Sequence, residues 1–335
     1  DKVSFTVDSV SVDGTFPGKG GFTTEQLASF KSMLTMTTAQ LAAEPTSPDT
    51  VTWNFASGGS GVGAFSFLGQ DETLVLNYVV KATDSTSAQT ATTVSVTLKG
   101  TNDAPVISGT AASSFTEPVL GAGGTQTLSS SGTLVVSDAD ATDTASVSVA
   151  SVVATESQFN ALSTESKAYV TANLNAFKGM LTLTNATAVA ADEASGGSTF
   201  EWNFNAGTGA FSFLAAGEVL ELDYTLDAVD SSADHGHGTN HVRVTITGTN
   251  EAPVVGVVQT PTPTPVVEAV SDVAALTATG QLSVLDADLH DKVSFTVDSV
   301  SVDGTFPGKG GFTTEQLASF KSMLTMTTAQ LAAEP

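Results

Sequence analysis

"TFEWNFNAGTGAFSFLAAGEVLELDYTLDAVD", residues 199–230, alternates apolar and polar positions at a period of two, with glycine-rich breaks between segments. Half-buried strands produce that pattern, because successive side chains point to opposite faces of a sheet. "HVRVTITG" (241–248) and "TVSVTLKG" (93–100) alternate in the same way. Trp53 and Trp202 each stand two positions before a phenylalanine, Phe55 and Phe204. At that spacing they are expected to anchor a core rather than stack on a cofactor.

The stretch belongs to a repeat. Residues 1–45 recur unchanged at 291–335, and a diverged copy lies between them. "WNF" at 53–55 returns at 202–204, "GAFSFL" at 63–68 returns at 209–214, and "GTNDAPV" at 100–106 returns as "GTNEAPV" at 248–254. The proline after GTN(D/E)A is the natural seam. It divides the chain into an incomplete repeat at 1–104 that lacks its first strands, a complete repeat at 105–252, and the first part of another at 253–335. The opening on "DKVSFTV", in mid-unit, suggests a piece of something longer. Roughly seven strand-like segments per unit predict a mainly β chain of tandem immunoglobulin-like sandwiches.

One segment breaks the strand pattern. "TTEQLASFKSML" (23–34) opens with a Thr23-x-x-Gln26 capping box and sets Leu27, Phe30 and Leu34 on one helical face. The longer copy at 155–181 carries Val170, Leu174, Phe177 and Leu181 on one stripe. A helical insertion, about residues 155–178, is therefore expected to split the sandwich. Its stripe is expected to dock on the sheet, with a partner-binding face as the alternative. Pro261, Pro263 and Pro265, at every second position, suit a sheet edge or a stiff linker.

Lys and Arg total 11 against 35 Asp and Glu, a net charge of -24. Nucleic acid and anionic membrane surfaces both call for a basic footprint, so neither is an expected partner. The chain has no cysteine, which rules out disulfides and thiolate metal sites. No apolar run approaches the length of a membrane span.

The acidic residues are not spread evenly. "VVSDADATDTASV" (135–147) places Asp138, Asp140 and Asp143 between two strand-like runs, and "SVLDADLHDKVSF" (283–295) repeats this with Asp286, Asp288 and Asp291. On a sandwich these loops join the second and third strands, at the end facing the preceding unit. Asn102 and Asp103 of the first GTN(D/E)A motif would arrive at that same end. Four carboxylates and an amide oxygen without basic partners repel unless a cation sits among them, and hard oxygen ligands in that number favour Ca2+. Asn250 and Glu251 would join Asp286, Asp288 and Asp291 in the same manner. The loop is not an EF-hand: Val149 stands where the bidentate glutamate would be.

Other footholds for chemistry are weak. "DHGHGTNH" (234–241) gathers His235, His237 and His241, a possible zinc set, but the other copy has no histidine there, and a glycine-rich loop of casual histidines is the expectation. "GTFPGKGG" around Lys19 lacks the spacing and the following Ser or Thr of a phosphate loop. Catalytic motifs are missing, so no enzyme is expected.

Together, "GTNDAPV" closing a unit, "SDAD" in an early loop and "FSFLAAGEVLELDYTLDAVD" late in the unit resemble the VCBS-type, cadherin-like repeats of bacterial RTX adhesins. That resemblance covers nearly the whole chain. It implies calcium-stiffened extender repeats of a surface protein exported by type I secretion, with neighbouring repeats as partners and the host or surface ligand bound elsewhere in the full protein. Cadherin repeats also bring a late aspartate to the shared ions. Here that residue is Asp230, and its equivalent Asp84 would serve a seam upstream of residue 1. The chain departs from the pattern at Glu251, which replaces the usual aspartate, and in its helical insertion; the nonapeptide calcium repeats of RTX tails are missing too. The alternative role is an adhesive module that binds a cell, glycan or surface through the insertion or loops. Verbatim copying of residues 1–45 favours the spacer, since a spacer gains from copy number.

Overall fold

A computed structural model describes residues 2–15, 21–37, 40–42, 49–57, 64–119, 126–191, 196–258, 276–304, 311–326 and 331–332. Lys19 and the prolines at 261, 263 and 265 lie outside the described residues.

The first unit begins with β1 (Lys2–Thr15), α1 (Thr24–Ser32), β2 (Leu34–Met36), β3 (Gln40–Ala42) and β4 (Trp53–Phe55), and continues into the hairpin of β5 (Thr73–Thr83) and β6 (Gln89–Lys99). One antiparallel sheet runs β3-β1-β5-β6, and β2 pairs with β4. The period-two pattern is realised in β5, where Leu74, Leu76, Tyr78 and Val80 are buried and their neighbours are only partly so.

The middle unit comprises β7 (Val106–Ser108), β8 (Ala111–Thr116), β9 (Leu128–Ser137), β10 (Thr144–Ala154), α2 (Glu156–Ala161), α3 (Thr164–Lys178), β11 (Leu181–Thr184), β12 (Val189–Ala190), β13 (Ser198–Ala206), β14 (Val219–Asp230) and β15 (His237–Thr247). Its two sheets run β11-β13-β9-β7 and β12-β10-β14-β15-β8. This is the immunoglobulin-like arrangement, with the opening strand divided between the sheets. The first half, β7, pairs antiparallel with β9, and the second, β8, runs parallel to β15. The crossing falls at Gly109, whose φ is 111° and where a Cβ would meet Leu134 Cδ2 at 2.8 Å. Leu134 and Val136 from one sheet meet Leu220, Leu222, Tyr224 and Leu226 from the other in a single apolar core. The chain is thus mainly β, built of tandem sandwich repeats.

The helical insertion is two helices, α2 and α3, in the middle unit and one, α1, in the first. The Ser163 side chain caps α3 by accepting from the N–H of Ser166, and Val170 and Phe177 are buried in the core with Leu174 packed beside them. The apolar stripe therefore docks on the sandwich. Its last member, Leu181, already belongs to β11. A tyrosine fastens the insertion in both units. Tyr224 Oη donates to the Phe177 carbonyl at 2.9 Å, and Tyr78 Oη to the Phe30 carbonyl at 2.8 Å.

The tryptophans divide. Trp202 is buried as expected, but Trp53 is 43% exposed. The Trp202 indole lies over Gly132 of β9, where a Cβ would come within 2.8 Å of the ring. β13 is paired along its whole length with β9, and no described strand of the first unit takes that part beside β4. Trp53 has the right spacing and lacks the covering strand.

Beyond the second seam come β16 (Val254–Val257), β17 (Leu282–Leu285), β18 (Lys292–Val293), α4 (Thr314–Ser322) and β19 (Leu331–Ala332). β16 pairs with β17, leaving Val254, Val255 and Leu285 exposed. Among the described residues no helix is long and apolar enough to cross a membrane.

Candidate metal centre

At the first seam, residues 100–105 join β6 to β7, and the loop after β9 meets them. Asp103 donates its N–H to Asp140 Oδ2 at 2.8 Å, and Asn102 donates its amide to Asp230 Oδ2 at 3.0 Å. Asp140 donates its N–H to Asp138 Oδ1 at 3.0 Å. One carboxylate oxygen each from Asp138, Asp143 and Asp230 lies within 4.8 Å of the others. Asp138, Asp140 and Asp230 are buried. Four buried oxygens lack any hydrogen-bond partner: Asn102 Oδ1, Asp138 Oδ2, Asp140 Oδ1 and Asp143 Oδ2. Among the described residues the ion pairs of Lys81, Lys99 and Arg243 are made with Asp8, Asp71 and Asp223, none of them in this cluster.

The electrostatics follow from that geometry. Burial pushes Asp138 up to about 6 and Asp140 up to about 7, because desolvation penalises the charged form. Asp143 is raised by burial, by the charge of Asp230 and by that of Glu72. Burial also acts on Asp230, but hydrogen bonds from the Ser232 hydroxyl and the Asn102 amide outweigh it and hold the carboxyl below its ordinary value. Glu72 itself reaches the seam, accepting from Thr142 Oγ1 at 3.2 Å.

The second seam repeats the backbone bonds. Glu251 donates its N–H to Asp288 Oδ2 at 2.8 Å, Asp288 donates to Asp286 Oδ1 at 3.2 Å, and Asp291 donates to the Asp288 carbonyl at 3.1 Å. Glu251, Asp286 and Asp288 are buried, and both Glu251 carboxylate oxygens and Asp288 Oδ1 lack partners. Asn250 departs from Asn102: its amide donates to the Glu251 carbonyl at 2.9 Å. Glu117, just past β8, is buried against this cluster with Oε2 unpartnered. Burial, then the charges of Glu251 and Asp288, push it up to about 8. Burial and Glu251 raise Asp288 as well.

Sequence reasoning missed Glu72 and Glu117. Glu117 stands alone after a strand and Glu72 follows Asp71 just before one, and the only signal was an acid close to an alternating apolar run. Asp84 is brought into neither cluster. Its Oδ1 accepts from the Thr86 N–H, the Thr86 hydroxyl and the Ala88 N–H in the turn between β5 and β6, and these bonds hold the carboxyl below its usual value. The histidines do not share a loop, contrary to expectation. His237 and His241 lie on β15 and pair with Asp227 at 3.1 Å and Asp223 at 2.8 Å, while His235 stands in the preceding turn. Strand pairing with β14 draws them along the sheet, so they do not converge.

Comparison with known proteins adds little. No family model matches the chain, and neither does any curated protein. Similar solved structures include the protocadherin GammaB4 extracellular domain, at 14% identity over 84% of this chain and 34% of that one, with a TM-score of 0.31. Human CDH23 EC21–23 is 10% identical over 85% of this chain and 69% of its own, with a TM-score of 0.32. The sialic acid binding region of a Streptococcus sanguinis adhesin, bound to 3'sLn, is 14% identical over 54% of this chain and 40% of its own, with a TM-score of 0.25. The chain thus spans only 34% of the first of these. Likeness at this level decides neither function nor partner.

Proposed function

We propose that the chain is a run of calcium-stiffened extender repeats from a secreted bacterial surface adhesin of the VCBS-type, cadherin-like RTX class. The repeats are 1–104, 105–252 and 253–335, and only the middle one is complete. Their partners are the neighbouring repeats of the same chain, and the adhesive ligand is bound elsewhere in the protein. The role is mechanical, not enzymatic.

One observation carries this reading. At the first seam buried carboxylates of the middle unit face Asn102 and Asp103 of the first, and at the second Glu117 and Glu251 face Asp286 and Asp288. Buried oxygens at both lack partners, and among the described residues no lysine or arginine pairs with either cluster. An orphaned buried carboxylate is costly, and a hard divalent cation satisfies several at once. Asn102, Asp103, Asp138, Asp140, Asp143 and Asp230 would hold calcium at the first seam. Asn250, Glu251, Asp286, Asp288 and Asp291, joined by Glu117, would do so at the second. Asp84 would serve one more seam. Bound calcium supplies positive charge shared between two units, so bending a seam would break coordination.

Small-angle scattering of the chain in calcium, in magnesium and in chelator tests this. Calcium should give a larger maximum dimension and a narrower distance distribution than chelator. Magnesium should substitute poorly, because it demands octahedral geometry and keeps its waters. Identical profiles in calcium and chelator would remove the stiffening role.

A further inference from the structure

Beside each acidic cluster lies a contact that uses no ion. Leu289, directly after Asp288, packs against the core of the middle unit and donates its N–H to the Phe213 carbonyl at 3.4 Å. At the first seam the equivalent residue is Ala141, which packs against the first unit's core and donates its N–H to the Phe67 carbonyl at 3.3 Å. Phe67 and Phe213 hold the same place in "FSFL", residues 65–68 and 211–214. The residue after D-A-D is thus a knob, and the F-S-F-L turn of the preceding unit is its socket. Recurrence at two seams with different knobs argues for a built contact.

The helical insertion supplies the wall of the socket. Tyr169 of α3 lies against Phe213 with ring centroids 4.4 Å apart, and Phe22, just before α1, stands 5.7 Å from Phe67. Glu165, in the first turn of α3, faces His290 across the second seam at 4.0 Å. A cleft between α3 and the following unit is lined by Tyr169, Phe213, Glu251, Val254 and Leu285. Leucine carries more apolar surface into such a socket than alanine.

We infer that the insertion and the F-S-F-L turn form an ion-independent docking surface for the next unit, which Leu289 fills and Ala141 only partly fills. The second seam then keeps its geometry without metal, and the first depends on it. The array has unequal joints, one permanently braced and one gated by ions. The docking surface goes beyond the calcium reading and does not rest on it, whereas the ion gating of the first seam does.

Distance distributions between spin labels test it on the whole chain, which has no cysteine of its own. Thr97→Cys with Ser129→Cys spans the first seam, and Ser129→Cys with Ser294→Cys spans the second. In chelator the parent should show a narrow distribution at the second seam and a broad one at the first. Leu289→Ala should lose the narrow component in chelator, Leu289→Met should keep it, and Ala141→Leu should create one at the first seam. Leu289→Ala leaving the second seam unchanged in chelator would overturn the inference, as would equally broad seams in the parent. If calcium narrows neither seam while Leu289→Ala still broadens the second, the docking surface stands and the calcium reading falls.

Discussion

Residues 1–45 and 291–335 are one sequence in two places, and their described residues do not form the same structure. The helices agree. Thr24–Ser32 and Thr314–Ser322 carry the same capping box, with Gln26 and Gln316 donating to their threonine hydroxyls at 3.2 and 3.3 Å. The strands disagree. Lys2–Thr15 is continuous and pairs with Thr73–Thr83, whereas among the described residues of the identical segment after Asp291 only Lys292–Val293 form a strand. Met33 and Leu34 are 8% and 3% exposed, while Met323 and Leu324 are 71% and 60% exposed. A helix closes its hydrogen bonds within its own few residues, but a strand borrows them from a partner. No described strand of the third unit takes β5's place.

Substituting the same residue in both copies should give very different losses of stability. Leu34→Ala should destabilise the first unit by about 2–5 kcal/mol, the usual range for a buried leucine. Leu324→Ala should stay within about 0.5 kcal/mol, as for an exposed site. Denaturant unfolding measures both, and equal losses would mean that the two copies share a fold in solution.

On the proposed calcium reading, the next largest effect should come at the seams where copies meet. Extracellular modules bind with Kd of roughly 0.1–1 mM, and ligand at about 100 times Kd adds about 2.7 kcal/mol. Asp138→Asn with Asp140→Asn should abolish most of that gain at the first seam yet leave the protein no less stable in chelator, because a buried repulsion goes too. Melting curves with and without EGTA decide it.

The pH dependence in chelator should have an unusual sign. Asp138 and Asp140 sit at about 6 and about 7 in the fold, above their ordinary value, so the folded chain binds these protons more tightly than the unfolded one. Their contribution to stability is fully present below the ordinary aspartate range and is lost as pH rises through about 6 to 7. The melting temperature in chelator should fall over that window, and saturating calcium, competing for the same oxygens, should flatten the slope. A rise with pH in chelator would contradict the burial of these groups.

The smallest effect is the one that should be equal in both copies. Thr23→Ala and Thr313→Ala each remove the same cap and should each lower local helix stability by about 1 kcal/mol, measured by amide hydrogen exchange in α1 and α4. Unequal losses would show tertiary contacts reaching even the caps.

Much of this was legible because it is local or repeated. Period-two alternation in residues 199–230 announced β13 and β14, the Thr23 capping box announced α1, and the loop aspartates could be paired with GTN(D/E)A because both recur. Glu117 was not legible, since its approach to Glu251 and Asp288 depends on where β8 ends beside β15. Nor was the fate of the histidines: "DHGHGTNH" reads as a loop until β14 supplies a strand for it to pair with.

Helix, strand and the gathering of negative charge could be read from residue order alone, because propensity, capping and periodicity act over a few residues. Which of the repeated apolar positions are covered came from the fold. Trp202 is buried and Trp53 is not, and Leu34 is buried while Leu324 is open, since burial is set by strands that arrive from elsewhere in the chain.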